Sequence, residues 1–164
     1  MVTWVALSGA PAFQRVLQQR PCAKSDHFAL HCLRTTELST GKSPMGTQPV
    51  DDLPAQRPAK PIRKRPDCPR LGLVVPKRMA RRAVTRNQVK RQVRAFWDLW
   101  WREMASLRPD FETIDWVVRL RAPIDKRQFI SARSDDLGSL LRSELPGLFE
   151  SGVRRLGPVA AKSL

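Results

Sequence analysis

The sequence predicts an α/β (α+β) fold: a small central mixed sheet in an α-β sandwich, in the order α-β-β-α-β-α. Three observations predict it. Segments with apolar residues at helical spacing alternate with short runs of strand composition. The 164 residues, 41% of them hydrophobic, suffice for one modest core. Seven of the 14 prolines crowd into residues 36–69 with no periodic apolar face. That stretch is too long for an ordered connection and reads as a disordered insertion between the first two strands.

Taken in order, Ala10–Gln19 reads as a short helix because Phe13, Val16 and Leu17 fall at i, i+3, i+4, and Pro21 ends it. Asp26–Thr35 alternates as a strand does, with Phe28, Leu30 and Cys32 on one face and His27, Ala29 and His31 on the other. Leu71–Pro76 is a short apolar run of the type buried on both faces. Val84–Leu107 carries the strongest helical pattern. Val89, Val93, Phe96, Trp97, Trp100 and Met104 form one stripe, and Asn87, Lys90, Arg91 and Arg94 lie beside it. Pro109 stops that helix, Thr113–Arg121 reads as a strand, and Asp135–Glu150 is a weaker amphipathic helix that Pro146 breaks or kinks. The predicted organisation is therefore 1–35 (first helix and strand), 36–69 (Pro-rich basic insertion), 70–150 (rest of the single domain) and 151–164 (basic tail).

Charge is strongly lopsided. Thirty Lys and Arg against 15 Asp and Glu give a formal net charge of +15, and such a balance points to polyanionic partners. The excess is local: residues 57–94 hold 14 basic residues and one acid, a net of +13, while residues 95–150 hold 8 basic and 10 acidic, a net of −2. No run of roughly 18 apolar residues is present, which excludes a transmembrane helix. Met1–Pro11 lacks the basic and apolar regions of a signal peptide. Cys22, Cys32 and Cys68 are odd in number and lack metal-ligand spacing, which implies free thiols in a reducing compartment.

The segment Pro76–Arg94 (PKRMARRAVTRNQVKRQVR) holds eight basic residues and no acid. Lys77, Arg78, Arg81 and Arg82 lie in the connection from strand to helix; Arg86, Lys90, Arg91 and Arg94 lie on the helix with Asn87. Closely spaced cations on a rigid element match a phosphate backbone and gain from counterion release. Arginine adds planar forks for phosphate and for stacking on bases. The bland alternative is a solvated basic face.

The run ARRAVTRNQVKRQVR resembles the signature of the bacterial ribonuclease P protein subunit, through Ala83, Val84, Arg86, Asn87, Lys90, Arg91 and Arg94. The resemblance extends to Arg70–Leu73 with Lys77 and Arg78, to Phe13, Val16 and Leu17, to His27–His31, and to Asp115–Pro123. Departures are Gln88 in place of a third cation, Ala95 after Arg94, Leu17 for a second phenylalanine, His31 for an aromatic tyrosine, a longer run before Ala83, and the long insertion. The resemblance implies a small sheet with helices on one face and an N-terminal helix beside an open cleft. It implies the small subunit of a cytoplasmic ribonucleoprotein that removes the 5′ leader of precursor tRNA. The partners would be the ribonuclease P RNA and precursor tRNA, with no membrane and no obligate protein partner. On this resemblance the RNA subunit performs the hydrolysis with Mg²⁺, the protein binds no cofactor or metal itself, and no protein residue is catalytic. The nine residues Lys77, Arg78, Arg81, Arg82, Arg86, Asn87, Lys90, Arg91 and Arg94 would face RNA, and Phe13, Leu17 and His31 would line the leader cleft.

Several features have competing readings. A protein nuclease needs clustered carboxylates for its metal ions, whereas Asp98, Glu103, Asp110, Glu112 and Asp115 share no common spacing. His27 and His31, about 13 Å apart at the usual rise, are too distant to share a metal; they read as partly exposed cleft wall or ordinary sheet face. Phe13 is either a platform for a base or core. Trp97, Trp100 and Trp101 read as helix packing, the cysteines as inert small hydrophobes, and Arg154, Arg155 and Lys162 as solvated tail. Two other functions fit the basic segment: a general or ribosome-associated RNA-binding protein, or a DNA-binding regulator. The regulator lacks the partner helix that a helix-turn-helix needs upstream.

Overall fold

The computed structural model describes residues 3–34, 68–124 and 135–157. The expected insertion at 36–69 lies outside these, apart from Cys68 and Pro69, and so does the end of the expected tail. Five strands and three helices are described: β1 (Val5–Ala6), α1 (Ala10–Gln18), β2 (Ala23–Lys24), β3 (Phe28–Arg34), β4 (Arg70–Val74), α2 (Ala83–Leu107), β5 (Ile114–Leu120) and α3 (Asp135–Leu156). A 3-10 turn, Pro109–Thr113, joins α2 to β5. The strands form one mixed sheet in the order β1-β4-β5-β3-β2.

The central pairing is β3 with β5, antiparallel from Phe28↔Leu120 to Arg34↔Ile114. On its other side β5 runs parallel to β4, from Arg70↔Asp115 to Val74↔Arg119. Parallel neighbours need a crossover connection, and α2 is that connection. The two edge strands escape sequence reading because two residues cannot show alternation. Tertiary hydrogen bonds place them: beside β1, Val5 donates to the Pro69 carbonyl and Leu7 to that of Leu71, at 3.1 and 2.9 Å, and beside β2, Cys22 donates to the Leu30 carbonyl at 2.8 Å.

Strand alternation sends side chains to two different layers. Leu30, Leu71, Trp116, Val118 and Leu120 face α2 and α3, where they meet Val89, Val93, Trp97, Trp101, Leu141, Leu145 and Phe149 in the main core. The aromatic rings pack ring to ring, Trp100 on Phe149 at 4.9 Å and Trp97 on Trp116 at 5.7 Å between centroids. Each such ring takes roughly 150–250 Å² out of water, so this layer dominates stability, and the tryptophans are core as expected. Gly152 lets α3 press on β3, because a Cβ there would lie 2.7 Å from Leu30 Cδ2. On the opposite face α1 lays Ala12 and Val16 over Leu33 and Val117, forming a second, smaller core. The helices are therefore divided between both faces, with only α2 and α3 sharing one.

Two expectations about elements are corrected. Helix α3 continues through Pro146 to Leu156, past the expected end at Glu150, because Leu148, Phe149 and Gly152 are buried against the sheet beyond the proline. Arg154 and Arg155 therefore belong to its last turn rather than to a tail. The two histidines do not share a face. β3 begins at Phe28, and a tight turn closes from Ser25 N to the Phe28 carbonyl at 2.8 Å. That turn leaves His27 outside the alternation, with Nδ1 2.5 Å from Glu144 Oε1 on α3.

Candidate nucleic-acid interface

The basic connection from β4 to α2 is a fixed turn. The amides of Met79 and Ala80 both donate to the Pro76 carbonyl, at 3.0 and 3.2 Å, and Ile124 N donates to the Met79 carbonyl at 2.8 Å. Arg86 completes it: its Nη1 donates to the carbonyls of Ala80 and Arg81 at 2.9 and 2.8 Å. Arg86 thus holds the shape of the turn that presents Lys77, Arg78, Arg81 and Arg82, all four exposed.

Helix α2 then separates its faces as its period requires. Val89, Val93, Trp97 and Trp101 are buried, Asn87, Arg91 and Arg94 are exposed, and Lys90 is half-buried. Gln88, at the position of the missing cation, accepts from Arg91 Nη2 at 2.6 Å. The first turn of α2 contains no acid, and Arg82 makes no side-chain cap there. The first-turn amides, with no side-chain cap, and the positive end of the helix dipole thus lie among cations, an arrangement that favours an anion there.

The three expected cleft residues come together on the α1 side of the sheet. Gly72, Val117 and His31 are register partners across β4, β5 and β3. The Phe13 ring lies on Gly72, where a Cβ would sit 2.5 Å from Phe13 Cε1. Phe13 and Leu17 are half-buried and packed on the smaller core. His31 is only 5% exposed, so it is not the partly exposed wall expected of it. Its Nδ1 lies 3.0 Å from the Gln19 carbonyl at the end of α1, and therefore carries the hydrogen. Burial lowers the His31 pKa. The Gln19 hydrogen bond acts in the opposite direction, and Arg119 and Lys24 add to the lowering. β4 connects this group to the basic turn, since Gly72 lies two residues before Val74, where the strand ends.

Sequence reading missed Arg70 with Asp115. Arg70 donates through Nε to Oδ1 at 2.8 Å and through Nη2 to Oδ2 at 2.5 Å, in a bidentate pair on the α1 side. It also missed Arg119, although strand alternation places it on the face of Asp115 and Val117. Other carboxylates pair locally: Asp110 with Arg34 and Arg108, Glu144 with His27, Glu150 with Arg154. Burial raises the Glu144 pKa, but hydrogen bonds from Ser25 and His27 outweigh it and leave it lowered. Among the described residues no three His, Cys, Asp or Glu side chains gather as a metal-binding group. None of the described helices is long and apolar enough to cross a membrane.

A fixed basic turn running into a basic helix, on a sheet with α1 on the opposite face from α2 and α3, defines an α+β protein with a strongly cationic surface. The chain belongs to the ribonuclease P protein family, whose model, described as Ribonuclease P, matches residues 5–143. It is 38% identical over 87 residues to the ribonuclease P protein component of Burkholderia pseudomallei strain 1106a, covering 53% of this chain and 59% of that protein. The corresponding protein of Paraburkholderia xenovorans strain LB400 is also 38% identical over 87 residues, which are 53% of this chain and 58% of that protein. The chain thus matches less than two thirds of these relatives' length. The fold is similar to that of the Staphylococcus aureus RNase P protein, with a TM-score of 0.51 and 16% identity over 88% of this chain and 92% of that one.

Proposed function

We propose that this chain is the protein subunit of ribonuclease P, binding the catalytic RNA and the 5′ leader of precursor tRNA in the cytoplasm. The observation that carries the reading is the Pro76–Arg94 segment, with eight cations and no acid in a family member. Lys77, Arg78, Arg81, Arg82, Lys90, Arg91 and Arg94 contact RNA phosphates, Asn87 bridges or reads an edge, and Arg86 shapes the turn. Phe13 and Leu17 provide the apolar wall for the leader, with His31 behind them. Hydrolysis belongs to the RNA subunit and its Mg²⁺; the protein supplies cations that would otherwise be recruited from solution.

The test is reconstitution with a bacterial ribonuclease P RNA on precursor tRNA. Stimulation should be greatest at low Mg²⁺, and the protein alone should not cleave. Absence of stimulation at every Mg²⁺ concentration, or cleavage by the protein alone that one carboxylate substitution abolishes, overturns the reading.

A further inference from the structure

A second cationic feature lies at the opposite edge of the sheet from β1. A cavity of 570 Å³ is lined by Arg20, Pro21, Cys22, Ala23, Lys24 and Arg155. Its three cations come from separate places: the connection after α1, the edge strand β2, and the last turn of α3. All three are exposed. Neighbouring cations are neutralised locally, Arg154 by Glu150 and Arg108 by Asp110. Among the described residues no carboxylate pairs with Arg20, Lys24 or Arg155.

We propose that this pocket binds the phosphates of a single-stranded RNA segment, as a second contact separate from the basic turn and helix. No aromatic side chain lines the pocket, so bases have no stacking platform there and the chemistry available is recognition of phosphate charge. The sheet also links the pocket to the basic turn through one cross-strand row. Lys24 pairs with Ala29, Ala29 with Arg119, and Arg119 with Val74, in one row across β2, β3, β5 and β4. The row spans three strand spacings, about 14 Å, and ends where β4 enters the basic turn. The assignment of the RNA to the ribonuclease P RNA or to the leader rests on the proposed function; the phosphate site does not.

The experiment compares the wild-type chain with the triple variant Arg20→Ala, Lys24→Ala, Arg155→Ala, and with Arg20→Lys, Arg155→Lys, after thermal melts show that all fold. Binding is measured against salt for three probes: oligouridylate with the protein alone, the ribonuclease P RNA, and holoenzyme with leader-bearing or mature tRNA. Three lost phosphate contacts should flatten the log–log salt slope by about 2 units, and the lysine variant should keep the wild-type slope. Loss confined to the ribonuclease P RNA assigns the pocket to that RNA. Loss confined to leader-bearing tRNA assigns it to the leader. Should the wild type fail to assemble with the RNA while the triple variant still loses slope on oligouridylate, the functional reading falls and the site stands. Equal slopes for wild type and triple variant on all three probes overturn the site, as does a lysine variant that loses as much slope as the alanine one.

Discussion

Individual residues set the limits of the α1 face. Gly72 is required by contact, since a methyl group there would lie 2.5 and 2.9 Å from Phe13 Cε1 and Cζ and 3.0 Å from Leu7 Cδ2. Gly72→Ala should therefore destabilise by roughly 1–3 kcal/mol, the usual cost of overpacking, and Phe13→Leu in the same chain should recover part of that loss. Strictly additive melting temperatures across the double-mutant cycle would show that the two sites are not in contact. His31 gives a pH dependence. Burial first, and then Arg119 and Lys24, hold its pKa below the ordinary 6.5, so the unfolded chain binds the proton more readily. Stability is then unaffected by this residue above pH 6.5 and falls as pH drops below it, until the folded-state pKa is reached. An NMR titration of His31 should give a midpoint below 6.5, and a midpoint above it would reverse the sign.

At the scale of elements, legibility followed repetition. Twenty-five residues of α2 repeat the apolar spacing enough times that both its buried stripe and its cationic side were readable, and Val89, Val93 and Trp97 are buried as that spacing requires. β1 and β2 repeat nothing, and β2 owes its place to pairing with β3. The Arg20–Lys24–Arg155 pocket was unreadable for a related reason: Arg155 is 131 positions beyond Lys24 in the chain, and only the α3 crossing brings them together. Proline showed the limit of local rules. Pro146 lacks the amide a helix interior uses, yet tertiary burial carries α3 across it. Because Pro146 is exposed, Pro146→Ala removes that penalty without opening a cavity. It should stabilise by up to about 3 kcal/mol, visible as a raised melting temperature; a lowered one would mean that α3 depends on the proline itself.

Over the whole molecule, charge and stability act against each other. Several acids among the described residues pair with nearby cations, as Asp115 does with Arg70 and Asp110 with Arg34 and Arg108. The turn and the first turns of α2 hold eight cations and no acid between Pro76 and Arg94. Their mutual repulsion, and their position at the positive end of the α2 dipole, disfavour the compact free state. Salt shortens the Debye length from about 10 Å at 0.1 M to about 3 Å at 1 M. Rising NaCl should therefore raise the melting temperature of the free protein over the same range in which it weakens RNA binding. Substituting Lys90→Gln and Arg94→Gln should mimic the first effect and worsen the second: a higher melting temperature at low salt, less dependence of that temperature on salt, and a binding slope flatter by up to about 2 units. RNA added to the wild type should stabilise it by mass action, and should stabilise the double variant less. A salt-independent melting temperature in the wild type, or a double variant less stable than wild type at low salt, would show that these cations are compensated within the fold and are not held ready for a polyanion.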